Sequence, residues 1–310
     1  MEFFKKTNIN FIGMRRITYA FSIISFVLAI IFLFINGGPN YGIDFTGGTS
    51  IQLKFTTPTD PGQIRSAISG AGFGDAEIKN LGEKSANTFI IRIAQMGDEA
   101  KTGGLILQEL NAKLADHPYD VLSVTEIGPK IGGELRRGAL YSVLVALIAM
   151  LIYISWRFEF KFAVGAVIAL FHDVVFVLGI YTALGLEMSL TSLAAFLTIV
   201  GYSINDTIVV YDRIRENLKL MRRESLGHIM NVSVNQTLSR TLLTGVSTLV
   251  VLLVLILAGG EVIHGFALAL FIGTIIGTYS SVFVASVLVL DWQNYLDRKK
   301  QAKTAARVAR

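Results

Sequence analysis

Hydrophobic positions along the chain gather into long uncharged runs broken by one polar stretch. Six of the runs reach the roughly 20 residues that a bilayer-crossing helix needs: Ile17–Ile35, Gly138–Trp156, Phe162–Leu184, Leu190–Tyr211, Thr241–Ala258 and Phe266–Leu290. Residues 36–137, between the first two runs, read differently. Thr49–Thr56 alternates at period two, and Asp60–Ala71 opens with a capping Asp followed by Pro. Strand patterns follow at Ala76–Leu81 and Thr88–Ala94, then a helical pattern at Asp98–Ala115 and a strand at Asp120–Ile127. This order is the split βαβ arrangement of a ferredoxin-like α+β domain. Tyr41–Gly48 and Gly128–Gly133 flank the domain and read either as tight turns or as glycine-hinged connections to the membrane. Asp212–Gln236 is polar, basic and helical in period, with Ile214, Leu218 and Met221 on one face. It predicts an amphipathic helix on the membrane surface, within a polar segment that runs to Arg240.

Composition sharpens the picture. The 310 residues are 52% hydrophobic and only 16% charged, with a mean hydropathy of +0.56. Those values exclude a cytosolic enzyme, a disordered chain and a fibrous protein. The absence of cysteine removes disulfide frameworks, thiol nucleophiles and thiolate metal sites. The formal charge of +5 comes from basic residues placed at one set of helix ends. Lys5, Lys6, Arg15 and Arg16 precede the first run, Arg157 and Lys161 lie between the second and third, and Arg213, Arg215, Lys219, Arg222, Arg223 and Arg240 follow the fourth. The tail, residues 291–310, adds Arg298, Lys299, Lys300, Lys303, Arg307 and Arg310. The short connections around Glu187 and Glu261 hold no Lys or Arg. By the positive-inside rule residues 1–16 and the tail are cytoplasmic, and residues 36–137 are extracytoplasmic. The rule accounts for the basic excess without nucleic acid as a partner. The first run exceeds the roughly 7 to 15 residues of a signal-peptide core. Asn36–Asn40 after it lacks a small-x-small cleavage pattern, so it reads as an uncleaved anchor.

Ionisable groups at membrane depth cost roughly 2.5 to 3.5 kcal/mol each, so every one present is a functional-site hypothesis. Asp206 sits inside the fourth run beside Ser203 and Asn205, His172 and Asp173 fall near the middle of the third, and Arg240 opens the fifth. Gln236, Arg240, Thr244, Ser247 and Thr248 recur at helical spacing as one polar stripe, which predicts a stripe facing the bundle interior and an Asp206–Arg240 pair. Arg stays charged while Asp can gain or lose its proton with its surroundings. The pair reads either as a proton switch or as a static ion pair that sets helix register. His172 and Asp173 read either as a proton relay or as a locally hydrogen-bonded pair. Glu187 and Glu261 read as solvated. Ala269, Gly273, Gly277, Ser281 and Ala285 form a small-residue ridge that predicts close packing of the sixth helix, within the chain or against another subunit. No phosphate-binding loop, His-Glu-x-x-His or nucleophile elbow is present, and Gly227-His228 and His264 stand alone, so neither catalysis nor a metal site is expected.

Gly201-Tyr202-Ser203-Ile204-Asn205-Asp206-Thr207-Ile208-Val209-Val210-Tyr211-Asp212-Arg213 closely resembles the fourth-span signature of the SecF family. Tyr41–Thr49, Gly128–Leu135 and Ala169–Val174 resemble that family's motifs after the first span, before the second and in the third. The resemblance implies a six-span half bundle similar to resistance-nodulation-division (RND) transporters. It also implies a 1:1 complex with SecD in the bacterial inner membrane, work beside the SecYEG channel and the YidC insertase, and unfolded preprotein as substrate. It implies protons rather than a cofactor as the coupling agent. Asp206 would be the proton-responsive carboxylate, Arg240 its basic partner and Asp173 a further intramembrane acid, with His172 beside it. Asn205, Ser203, Gln236 and Thr244 would be the supporting polar groups. Two rivals remain open on the sequence: an RND-type small-molecule exporter subunit, and a scaffold that conducts no ions.

Overall fold

The computed structural model describes residues 7–80, 87–93 and 102–308. The sequence-predicted strand and helix ends at Leu81, Ala94 and residues 98–101, and the basic residues Lys5, Lys6 and Arg310, lie outside the described residues.

Six long helices carry the apolar runs: α1 (Arg15–Ile35), α5 (Pro129–Arg157), α6 (Phe160–Ala183), α7 (Leu190–Leu220), α8 (Leu226–Ala258) and α9 (Glu261–Ser280), the last continuing through a π-helical turn at Ser281–Ala285 into α10 (Ser286–Val308). Several helices overrun their apolar stretch. The sharpest case is α5, which starts at Pro129. Pro suits a first helical position because its missing N–H would be unpaired there. The segment expected to be a hinge, Gly128–Gly133, is therefore mostly helix, and Gly132 is buried in it. The expected amphipathic surface helix at Asp212–Gln236 is also absent as a separate element. Its first part extends α7 to Leu220 and its last part begins α8 at Leu226, with Ser225 Oγ accepting from His228 N–H at 3.3 Å as the new cap.

Between α1 and α5 lies the outer domain. Its strands β2 (Gly48–Phe55), β3 (Glu77–Asn80), β4 (Thr88–Ile93) and β5 (Tyr119–Ile127) alternate with α3 (Pro61–Ser69) and α4 (Thr102–Lys113). The sheet runs β3-β4-β2-β5 with every pairing antiparallel, the ferredoxin-like order. Asp60 caps α3 reciprocally: its Oδ1 accepts from Gly62 N–H at 2.7 Å, and Gln63 Oε1 accepts from Asp60 N–H at 2.9 Å. Ile51, Leu53, Phe89 and Ile91 point from the sheet onto Ile64, Ile68, Ile106 and Leu110 of the two helices, forming a core separate from the bundle's. Three short elements join the domain to the membrane: β1 (Asn40–Tyr41), α2 (Ile43–Thr46) and β6 (Glu187–Met188). Gly47 and Gly48 link α2 to β2 at φ +77° and +139°, a backbone path that a Cβ would oppose.

In the membrane the core has two apolar layers. One gathers Phe162, Leu170, Tyr211, Ile214 and Met230; the other gathers Val177, Tyr181, Phe196, Ile199 and Ile276. The small-residue ridge of α9 packs within the chain, against α7. A Cβ on Gly277 would stand 3.0 Å from the Cβ of Ser203, and one on Gly273 would overlap Ile199.

Gly132 offers a test in which propensity and packing oppose each other. Ala favours a helix interior over Gly by about 1 kcal/mol, yet a Cβ at 132 would stand 2.7 Å from Gly47 N and 3.1 Å from Phe45 C. Gly133 meets nothing within 4 Å. Gly132→Ala is expected to destabilise by about 1 to 3 kcal/mol through overpacking, while Gly133→Ala is neutral or stabilising. Thermal unfolding of the two variants in detergent checks the pair.

Candidate functional site

The third and fourth apolar runs bring their acids to different settings. Asp173, on α6 between the two apolar layers, has no exposure. Its Oδ2 accepts from Ser203 Oγ of α7 at 2.7 Å and from Ser280 Oγ of α9 at 2.6 Å. Its Oδ1 is hydrogen-bonded to His172 Nδ1 at 3.0 Å. Three helices thus meet at one carboxylate. His172 is itself buried, lies near-parallel to the Phe176 ring at 6.3 Å and leaves Nε2 without a partner in the chain. The π-turn begins immediately after Ser280, and π-turns inside α-helices recur at functional positions. The buried Tyr211 of α7 reaches the same turn, its hydroxyl donating to Ala285 O at 3.3 Å.

Asp206 lies one turn beyond Ser203 on α7 and is 3% exposed. Its Oδ2 is sealed from solvent and accepts no hydrogen bond. Arg240, on α8, acts on it electrostatically, but no ion pair within 4.0 Å forms between them among the described residues. The expected Asp206–Arg240 contact is therefore not made. Helical spacing specifies which faces meet, while the distance depends on where the long guanidinium arm goes, and Arg240 is exposed at the bundle surface. Thr241 Oγ1, on α8, is also buried without a hydrogen bond.

The supporting polar residues divide. Ser203 belongs to the Asp173 site. Thr244 Oγ1 donates to its own helix, at Arg240 O and Thr241 O, both 3.0 Å away. Asn205 is exposed. Gln236 leaves the expected stripe and joins a polar cluster where α7 and α8 meet: its Oε1 accepts from Arg213 Nε at 2.6 Å and from the buried Asn217 Nδ2 at 2.8 Å. The stripe as a whole does not face the interior, since Gln236, Arg240 and Ser247 are exposed. Ser280 was not among the sequence candidates. Its signal was weak but present: Ser280, Ser281 and Ser286 crowd one apolar helix beside the small-residue ridge.

Glu187 overturns the solvated reading. Its side chain is 20% exposed and pairs with Arg92 of β4. Burial pushes its carboxyl above the ordinary glutamate range, with Arg92 and Lys79 pulling it back and Glu77 and Asp44 pushing it further up.

Six membrane-length helices, one ferredoxin-like outer domain and acids buried at the bundle core define a multi-pass membrane protein with the architecture of an RND-type half bundle. Residues 107–295 match the family profile described as protein export membrane protein SecD/SecF, C-terminal, and residues 31–59 match the SecD/SecF GG motif. The chain is 46% identical over 288 residues to the protein translocase subunit SecF of Desulfurispirillum indicum, covering 90% of this chain and 91% of that one. It is 42% identical over 285 residues to SecF of Vibrio alginolyticus, covering 91% and 89%. The crystal structure of SecDF, a translocon-associated membrane protein from Thermus thermophilus, superposes with a TM-score of 0.82 at 42% identity, over 93% of this chain and 39% of that one. SecDF in its super-membrane-facing form gives 0.72 at 40% identity, over 97% and 41%. The chain therefore belongs to the SecF family of protein translocase subunits, and it spans about two-fifths of the SecDF chains it resembles.

The three hydrogen bonds at Asp173 predict a stability response. Removing one partner of a buried hydrogen bond costs about 1 to 3 kcal/mol. Ser203→Ala and Ser280→Ala are each expected to lower stability on that scale, and the double variant to depart from additivity because both hydroxyls serve one oxygen. Thermal unfolding of the single and double variants measures both effects.

Proposed function

We propose that this chain, paired with SecD, couples the proton-motive force to late-stage translocation of preproteins arriving through the SecYEG channel in the bacterial inner membrane, with YidC as a further neighbour. Both termini are cytoplasmic, as the one-sided placement of basic residues supports. Protons are the coupling agent and no cofactor takes part. The observation that carries the reading is Asp206: a carboxylate at membrane depth with one oxygen buried and unbonded, in the field of an arginine that does not close an ion pair. A group held that way changes its interactions sharply when it gains or loses a proton, whereas a saturated one does not.

The strip around Asp206 supports a second subunit. Asn205, Arg240 and Ser247 are exposed on the flank of a bundle whose other outward residues, such as Val246, Val250 and Val254, are apolar. Hydrocarbon leaves polar groups unsatisfied, so such a strip is suited to a partner's helices rather than to lipid. The SecDF relatives carry more than half of their length outside the part this chain matches, room for a SecD half.

Protonation of Asp206 from the outer side would weaken its attraction to Arg240 and favour a second packing of α7 against α8. One proton moving down about 150 mV supplies about 3.5 kcal/mol, enough to shift a two-state equilibrium several hundredfold. Asp173 and His172 would relay or sense that change from the neighbouring face of α7.

The test is export of a secretory reporter in cells whose only copy carries Asp206→Asn, with membrane levels of both subunits matched to the parent. Export is expected to fall by at least about tenfold, within the ceiling one proton sets, and to lose its dependence on the proton-motive force. Undiminished export would overturn the coupling role and favour the non-conducting scaffold.

A further inference from the structure

The outer domain is seated on the outer end of α7, the helix that carries Asp206. β1 pairs in parallel with β6, placing Asn40 opposite Glu187 and Tyr41 opposite Met188, and Gly42 N–H donates to Met188 O at 2.8 Å. One residue after β6, Ser189 caps α7. Asp44 of α2 reaches the same turn, its Oδ2 accepting from Leu190 N–H at 2.8 Å, so the domain's connector satisfies an amide of α7 that has no partner within the helix. On the other side of β6 the Glu187 side chain crosses to Arg92 in the middle of the sheet. Gly42 lies so close to Glu187 that a Cβ there would overlap the carboxylate. A cleft of about 400 Å³ separates sheet and bundle beside this contact, lined by Lys79, Arg92, Tyr181, Glu187, Ser192 and His264. Beside this cleft the sheet meets the bundle at one short strand.

We propose that Glu187 and Arg92 are positioning residues that fix the outer domain to the first turn of α7, so that a displacement of α7 is passed to the sheet through β6. The proposal rests on the coupling function argued above for Asp206, although the joint itself is testable without it. The joint's chemistry is asymmetric. Glu187 Oε2 is sealed from solvent and has no hydrogen bond besides its charge contact with Arg92, whereas Arg92 also has Glu77 within 3.8 Å and is more exposed. Removing Arg92 leaves a buried, uncompensated carboxylate; removing both charges leaves none.

The raised pKa gives the joint a pH dependence. The carboxyl is raised in the docked state, so its neutral form favours docking: docking is strongest below the ordinary glutamate range and weakens as pH rises through the raised value. The charged and titratable groups facing it are Arg92, Glu77, Lys79, Asp44, Tyr181 and His264.

The chain has no native cysteine, so Gln108→Cys on α4 and Leu184→Cys at the end of α6 allow a spin-label distance to be measured in the full chain in proteoliposomes. Without a gradient, Arg92→Gln is expected to raise the undocked fraction about tenfold, the scale of one charge-assisted contact. Glu187→Gln, which stands in for the neutral carboxyl, is expected not to raise it, and the double variant to be closer to the parent than Arg92→Gln alone. The last result also separates a lost joint from a misfolded domain. Acidifying the outer face should narrow the parent's distribution and leave Glu187→Gln unmoved. An unchanged distribution in Arg92→Gln, or simple addition of the two single effects, would overturn the proposal. An imposed proton gradient is then applied to the same labelled parent and to Asp206→Asn, each reconstituted together with SecD. A parent that does not respond to it would sink the coupling reading while leaving the joint as measured.

Discussion

Taking a carboxylate out of water costs several kcal/mol unless neighbouring groups replace its hydration, and the centre of this bundle is arranged around that requirement at Asp173. Apolar layers lie above and below, so side chains satisfy both oxygens: Ser203 from α7 and Ser280 from α9 on one, and His172 from α6 itself on the other. The close approach of α7 and α9 that delivers the two hydroxyls is possible because Gly273 and Gly277 carry no side chain. Pack the ridge with anything larger and the serines withdraw. The same approach explains the placement of Tyr211, whose ring fills one of the two apolar layers while its hydroxyl bonds a carbonyl in the π-turn.

Asp206 stands a single helical turn away on α7 and is treated in the opposite manner. Thr244 and Thr248 on α8 turn their hydroxyls to their own backbone, Gln236 is drawn off toward Arg213 and Asn217, and Arg240 points to the surface. One helix thus carries a serine committed to a saturated acid and an unsaturated acid of its own. A saturated site resists change, because each proton or displacement breaks several bonds at once. An unsaturated one is poised, since its energy depends steeply on charge in a low-dielectric setting.

The sequence disclosed a good deal of this. Apolar length identified the spans, because a helix in hydrocarbon must satisfy every backbone group internally and its composition follows from that. Period-two alternation and the Asp60 cap disclosed the outer domain, since both are local. What escaped were features decided by distance rather than by face. The period of α8 put Arg240 opposite Asp206, but a flexible guanidinium arm can point to the surface as readily as to the acid. Ser280 escaped because serine is tolerated widely in membrane helices and nothing local marks one that reaches a carboxylate on another chain segment. Gly128–Gly133 was misjudged because glycine suggests a turn. There the glycine is used for close approach within a helix, and only the neighbouring backbone of Gly47 makes that visible.

Glu187 escaped for a related reason, and its case bears on how the two halves of the molecule communicate. A glutamate in a short loop is ordinarily solvated, and no feature of residues 185–190 alone indicates that β6 will be covered by Asn40–Gly42 and the sheet. The glycine-rich connectors that read as hinges are in fact the covering elements: α2 abuts α5 through Gly132, and β1 abuts β6. A hinge at that position would have uncoupled the domain from the membrane helices. A packed connector has the reverse effect, because a force on the outer end of α7 meets a paired strand, a trans cap and a charge contact before it meets any freely rotating bond. The six helices and the outer domain keep separate cores, yet α7 packs in the bundle and takes a cap from the domain's connector, which makes that helix the natural route for a displacement proposed at Asp206 to reach the domain.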